Sequence, residues 1–204
     1  MRYGGIILCG GKSSRMGTSK AHLQLGTETL LQRIVRIMGE VLDPLVVVAA
    51  NGQELPNLEA KVMICRDKNE GQGPLEGLAA GLEALKDRCD AVFLSSCDVP
   101  FLKKEFILGM IEALGESRMC IPRTEGYFHP LASVYKVDVL PDVQQLLGEK
   151  KLRPFFLLEK VKGKIVEEEQ LKQFDSELFS LKNLNTPEDF QQALSEFQKD
   201  QSYL

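Results

Sequence analysis

No apolar run in this chain approaches the roughly 20 residues that a helix needs to cross a bilayer, so no helical membrane span is expected. Met1-Arg2-Tyr3 leads directly into a strand-like run, with no basic leader and apolar stretch before it. No signal peptide is expected, and the expected location is the cytosol. Positive charge is not in excess: 25 Lys and Arg stand against 29 Asp and Glu, a net charge of −4. That balance argues against broad nucleic-acid binding, which needs a basic face. The cysteines Cys9, Cys65, Cys89, Cys97 and Cys120 form no C-x-x-C pair, so a zinc ribbon is not expected. Cys65, Cys97 and Cys120 sit in or beside apolar runs and are expected to be reduced, buried small residues. There is no internal repeat, low-complexity segment or linker, and residues 1–204 read as a single domain.

What is present is an alternation of short apolar runs and helical patterns. Ile6–Leu8 reads as a first strand. Thr29-Leu-Leu-Gln32 has the form of a capping box opening a helix, with Leu30, Leu31, Ile34, Val35 and Met38 on one face. Leu45–Ala50 is continuously apolar, as a strand covered on both faces would be. Val62–Cys65 is a similar, shorter strand, Pro74–Leu85 a helix, Ala91–Ser95 a strand and Lys103–Leu114 a helix. Leu131–Tyr135 reads as a strand and Val139–Leu147 as a helix. Residues 148–183 read as charged, mixed short elements flanking the sheet. Thr186 and Pro187 begin a last helix that runs toward Lys199. Such alternation predicts an α/β fold, a three-layer α/β/α sandwich around a mostly parallel, Rossmann-like sheet. Ligands in such sheets lie beyond the carboxyl ends of the strands.

The segment after the first strand is the most informative. Leu-Cys-Gly-Gly-Lys-Ser-Ser-Arg-Met-Gly-Thr-Ser-Lys, residues 8–20, is a glycine-rich basic loop. Glycines let backbone N–H groups approach an anion closely, and Arg15 and Lys20 supply positive charge for a polyphosphate. It is not a Walker A loop, which would need glycine where Ile6 stands, and it lacks the Gly-x-Gly-x-x-Gly dinucleotide fingerprint. Asn51, Asp67 and Asp98 also follow predicted strands. Four polar candidates therefore fall on one edge of one sheet.

Asp98 precedes Val99-Pro100. A carboxylate there either forms a turn or holds a hard cation with oxygen ligands, of which Mg²⁺ would bridge triphosphate oxygens. Asn51 and Asp67 are either turn formers or partners for base edges and ribose hydroxyls. Gly71–Gly77 leads into a helix whose N-terminus suits a phosphate or base edge. Glu76 either accepts from a base edge or faces solvent in that first turn. His129 and Arg153 each read equally as structural or as ligand contacts, and His22 receives no role.

The loop resembles the signature Leu-x-Gly-Gly-x-Ser-x-Arg-Met-Gly-x-x-Lys of nucleotidyltransferases, most closely that of the molybdenum cofactor guanylyltransferases. Gly-Pro-Leu-x-Gly (73–77), Cys-Asp-x-Pro (97–100), His129-Pro130 and Asn-x-Asn-Thr-Pro-Glu-Asp (183–189) extend the resemblance over most of the chain. It implies transfer of GMP from GTP to the terminal phosphate of molybdopterin, with release of pyrophosphate and Mg²⁺ as cofactor. It implies catalytic roles for Arg15, Lys20 and Asp98, with Asp98 holding the metal. Leu8, Cys9, Gly10, Gly11, Lys20, Asn51, Asp67 and Asp98 would bind the nucleotide, and His129 and Arg153 the acceptor. GTP and molybdopterin are then the small-molecule partners, alongside proteins that make or accept the molybdenum cofactor. Cys9 replaces the usual alanine of the family, and the loop before Lys20 is one residue short of some members. A cytidylyltransferase, a sugar-phosphate nucleotidyltransferase and a non-catalytic nucleotide-binding module are the alternatives.

Overall fold

The computed structural model describes residues 1–10, 19–67 and 73–199. Strands β1 (Tyr3–Leu8), β4 (Leu45–Ala49), β5 (Met63–Arg66) and β6 (Ala91–Ser96) are parallel and run in the order β6-β1-β4-β5. β7 (Met119–Thr124) and β10 (Lys164–Glu167) form a second parallel pair. Between the two groups lies β9 (Ser133–Lys136), antiparallel to both β6 and β7. A short β8 (Tyr127–Phe128) folds back on β7, completing an eight-stranded sheet. β2 (Gln24–Leu25) and β3 (Glu28–Thr29) make a separate small hairpin.

Alternation within each strand explains the two covering layers. Ile7, Val47, Phe93, Cys120 and Val134 face one side, where α1 (Leu30–Gly39), α3 (Lys104–Leu114) and α6 (Glu168–Phe174) bury them. Ile6, Val46, Val92, Leu94, Met119, Ile121 and Tyr135 face the other, under α2 (Pro74–Leu85), α4 (Leu140–Gly148) and α5 (Pro154–Val161). The helix α7 (Pro187–Lys199) belongs to a third cluster and packs Phe197 with Leu25 and Leu30 beside the β2–β3 hairpin.

The expected capping box is present. Thr29 Oγ1 accepts from the Gln32 N–H at 3.2 Å, and Gln32 Oε1 accepts from the Thr29 N–H at 2.9 Å. Three readings need correction, and one strand, β7, was not anticipated. The segment 148–183, expected to flank the sheet, contributes β10 to it, paired with β7. The strand expected at Leu131–Tyr135 begins only at Ser133, because Pro130–Ala132 form a 3₁₀ turn with proline at its start. β7 carries Pro122, a residue that argues against a sheet interior and concealed the strand. Of the cysteines expected to be buried, Cys65 is only half-buried, because β5 is the edge of the sheet. All five cysteines are free.

Candidate nucleotide site

The carboxyl ends of β6, β1, β4 and β5 lie side by side, and each presents a polar segment. β1 runs into Cys9 and Gly10, β4 into Ala50-Asn51, β5 into Asp67 and β6 into Cys97-Asp98. Two backbone bonds prolong the sheet past its formal end: the Cys9 N–H donates to the Val48 carbonyl at 2.8 Å, and the Cys97 N–H to the Leu8 carbonyl at 3.1 Å. A side chain at Gly10 would bring its Cβ within 3.2 Å of the Ala50 nitrogen, a tight contact that the absence of a side chain relieves where β1 approaches β4.

Asp98 is the hub. Lys20 Nζ donates to its Oδ2 at 2.7 Å, and Ser96 Oγ and Asn183 Nδ2 donate to its Oδ1 at 2.5 and 3.0 Å. The Asp98 carbonyl accepts from the Leu184 N–H at 2.9 Å, which ties the segment before α7 to the end of β6. The sheet and this tie leave Asp98 buried, only 9% exposed as a residue. Lys20 reaches it from a 3₁₀ turn over Lys20–His22. The single-residue shortening of the loop therefore does not keep Lys20 from the head of β6. Next to this pair, a hydrogen bond with the Cys9 thiol and burial push the Cys97 thiol well above its usual range, so it stays protonated.

α2 brings its N-terminus to the same edge. Gly73 adopts φ +76° ahead of Pro74, the first helical residue. A Cβ at Gly77 or Gly81 would lie 2.9 Å from Leu8 or 2.7 Å from Ile6, respectively, so these glycines let the helix lie close against β1. Glu76 is half-buried in that first turn. Leu8 is thus a packing partner of α2. Asn51 stands exposed at the tip of the turn after β4, and Asp67 is held by its N–H donating to the Ala49 carbonyl at 2.8 Å. Gly11 and Arg15 lie outside the described residues.

A recess of about 230 Å³ lies next to Asp98 on the α2 side, lined by Pro74, Val99, Phe128, His129, Leu131 and Asn183 among others. His129 Nε2 shares a hydrogen bond with Thr124 Oγ1 at 2.7 Å, and burial lowers its pKa. We expect His129 to be neutral at pH 7. Its contribution to stability is then present above the ordinary imidazole value of 6.5 and is lost as pH falls below it. An NMR titration of the ring protons should give a midpoint under 6.5, and a midpoint at or above it would contradict this placement. Arg153 is exposed at the N-cap of α5, whose Phe155 packs on Phe128 with ring centroids 5.7 Å apart. It therefore lies at the rim of the His129 side and not beside Asp98.

One carboxylate at this edge, Asp98, could hold a hard cation on exchanging its bond to Lys20. Among the described residues no three His, Cys, Asp or Glu converge on one point. A Mg²⁺ ion takes one or two carboxylates and completes its shell with phosphate oxygens and water, and Asp98 meets that requirement. Sequence reasoning missed two partners of Asp98. Ser96 is the second of two hydroxyls that close the apolar run Ala91–Leu94, a signal that was open to reading. Asn183 was visible only as the first residue of a motif.

No described helix is long and apolar enough to cross a membrane. Residues 5–163 match the family model of the MobA-like NTP transferase domain. A Methanosarcina mazei protein named "Probable molybdenum cofactor guanylyltransferase" is 31% identical, over 93% of this chain and 88% of its own length. One of the same name from Carboxydothermus hydrogenoformans is 33% identical over 94% of each. The crystal structure of molybdopterin-guanine dinucleotide biosynthesis protein A from Archaeoglobus fulgidus superposes with a TM-score of 0.77 at 21% identity, covering 98% of this chain and all of that one. The 2-C-methyl-D-erythritol 4-phosphate cytidylyltransferase of Thermus thermophilus shares the fold at a TM-score of 0.69 and 18% identity, covering 97% of this chain and 100% of that one. With its sheet, its site edge and these relatives in agreement, the chain belongs to the MobA-like NTP transferase family.

Proposed function

We propose that this protein is a guanylyltransferase that joins GMP from GTP to the terminal phosphate of molybdopterin. The observation that carries this reading is the Lys20–Asp98 pair at 2.7 Å, set at the head of β6 beside its parallel neighbour β1, with the His129–Asn183 recess alongside. A phosphate oxygen of the acceptor forms a bond to the α-phosphorus of GTP. The bond from that phosphorus to the α–β bridging oxygen breaks, and its electron pair leaves with pyrophosphate. Phosphate oxygens are nucleophilic at neutral pH, so no general base is needed, and the protein contributes alignment and charge stabilisation. Lys20, the Gly10 N–H and, from the sequence pattern, Gly11 and Arg15 take the departing phosphates. Asn51 and Asp67 take the nucleoside, and His129 and Arg153 the acceptor. Mg²⁺ held by Asp98 would neutralise charge on the triphosphate.

The test is to incubate the protein with each of the four NTPs, MgCl₂ and molybdopterin, and to assay pyrophosphate. GTP should be preferred over CTP by at least about tenfold, roughly 1.4 kcal/mol. Equal use of GTP and CTP would overturn the guanylyl assignment, and no pyrophosphate with any NTP would overturn the transferase reading.

A further inference from the structure

Gln53 stands in the turn after β4 and belongs to none of the motifs. Its Oε1 accepts from the Ala50 N–H at 3.0 Å, while its Nε2 donates to the Cys9 carbonyl at 3.0 Å and lies 3.4 Å from Ser19 Oγ. One side-chain amide therefore joins the head of β4, the head of β1 and the residue before Lys20. The amide is itself firmly mounted. The Gln53 N–H closes a turn onto the Ala50 carbonyl at 3.2 Å, with Gly52 at φ +72° in the position where such a turn wants glycine. Arg66 Nη1 donates to both the Ala50 and Gln53 carbonyls, at 3.1 and 2.8 Å, which locks the turn onto β5.

The bond to the Cys9 carbonyl has a geometric effect. The peptide unit joining Cys9 to Gly10 is planar and trans, so its C=O and N–H point in opposite directions. Holding the carbonyl on Gln53 points the Gly10 N–H, within the same plane, away from Gln53. This N–H is the first donor of the glycine segment. Ser19, touched by the same amide, fixes the entry into the 3₁₀ turn that carries Lys20 to Asp98.

We propose that Gln53 is a positioning residue for the polyphosphate of the nucleotide: it orients the Cys9–Gly10 peptide and the base of Lys20 without touching the ligand. This rests on the nucleotidyltransferase reading above. Two substitutions separate its contacts. Gln53→Glu keeps the acceptor for the Ala50 N–H and removes the donor to Cys9. Gln53→Met keeps the length, removes both and adds no charge.

Calorimetric titration with GTP and MgCl₂ should show both variants binding about tenfold more weakly than wild type, the loss of one well-placed hydrogen-bonded donor. Guanosine, which has no phosphates, should bind all three proteins alike. In turnover, half-saturation should rise for GTP and stay unchanged for molybdopterin, with the melting temperature little altered. Wild-type GTP affinity in Gln53→Met would overturn the proposal, as would an equal loss for guanosine, which would mark general disruption. Wild type that binds GTP but releases no pyrophosphate with molybdopterin overturns the guanylyltransferase reading alone. Wild type that binds no GTP overturns both.

Discussion

Asp98→Asn should leave the fold standing and cut turnover by about a thousandfold or more, equivalent to some 4 kcal/mol in the barrier. Asparagine has nearly the same volume and keeps an acceptor oxygen for Ser96 Oγ and Asn183 Nδ2, which now hold the carboxylate at 2.5 and 3.0 Å. The tie from the Leu184 N–H goes to the backbone carbonyl and is untouched. What disappears is the negative charge, and with it the partner of Lys20 and the ligand for a divalent cation. Lys20 keeps partial access to solvent and can rehydrate, so melting temperature should move little. The measurement is single-turnover GMP transfer at saturating GTP across a range of MgCl₂ concentrations. Near-normal turnover at low MgCl₂ would reduce Asp98 to a turn residue.

Lys20→Ala should lower the maximal rate about a hundredfold, the cost of one charged contact that strengthens as charge moves onto pyrophosphate. In the free protein Lys20 is bound to Asp98 at 2.7 Å, so it must change partner when a triphosphate and its cation arrive. Removing it should therefore reduce the MgCl₂ concentration needed for half-maximal activity even as the maximal rate falls. A uniform anchor would behave differently: half-saturation for GTP would rise and the maximal rate would stand, and that result would withdraw the catalytic role.

The central strands were legible because each is written as an unbroken apolar run. Ile6 and Ile7, or Val46 and Val47, must both be apolar when helices cover both faces, and that requirement is local. The edge of the sheet was legible for the same reason, since Gly10, Asn51, Asp67 and Asp98 follow those runs directly. β7 was hidden because Pro122 violates a local rule that its pairing tolerates, and β9 was misplaced because Leu131 looks like strand but follows a proline that starts a turn. The surroundings of Asp98 were the least legible. Asn183 is 85 residues away along the chain, and no periodicity connects the two. Gln53 is a polar residue in a polar turn, and only its distances to Cys9 and Ser19 distinguish it from a solvated side chain.

The central place of β9 has a consequence for biosynthesis. β6 and β7 follow one another along the chain but do not pair; the slot between them is filled by Ser133–Lys136, made later. A ribosome-bound chain that ends before this strand can assemble β6-β1-β4-β5, but it presents the open side of β6, whose residues are all buried in the finished protein, as a bare edge. Such an edge invites pairing with another nascent chain. Arrival of β9 caps it and in the same event joins β7 to the earlier strands, with β10 adding to β7 once it is made. The protection of the growing polypeptide against self-association thus waits on four residues two-thirds of the way along it.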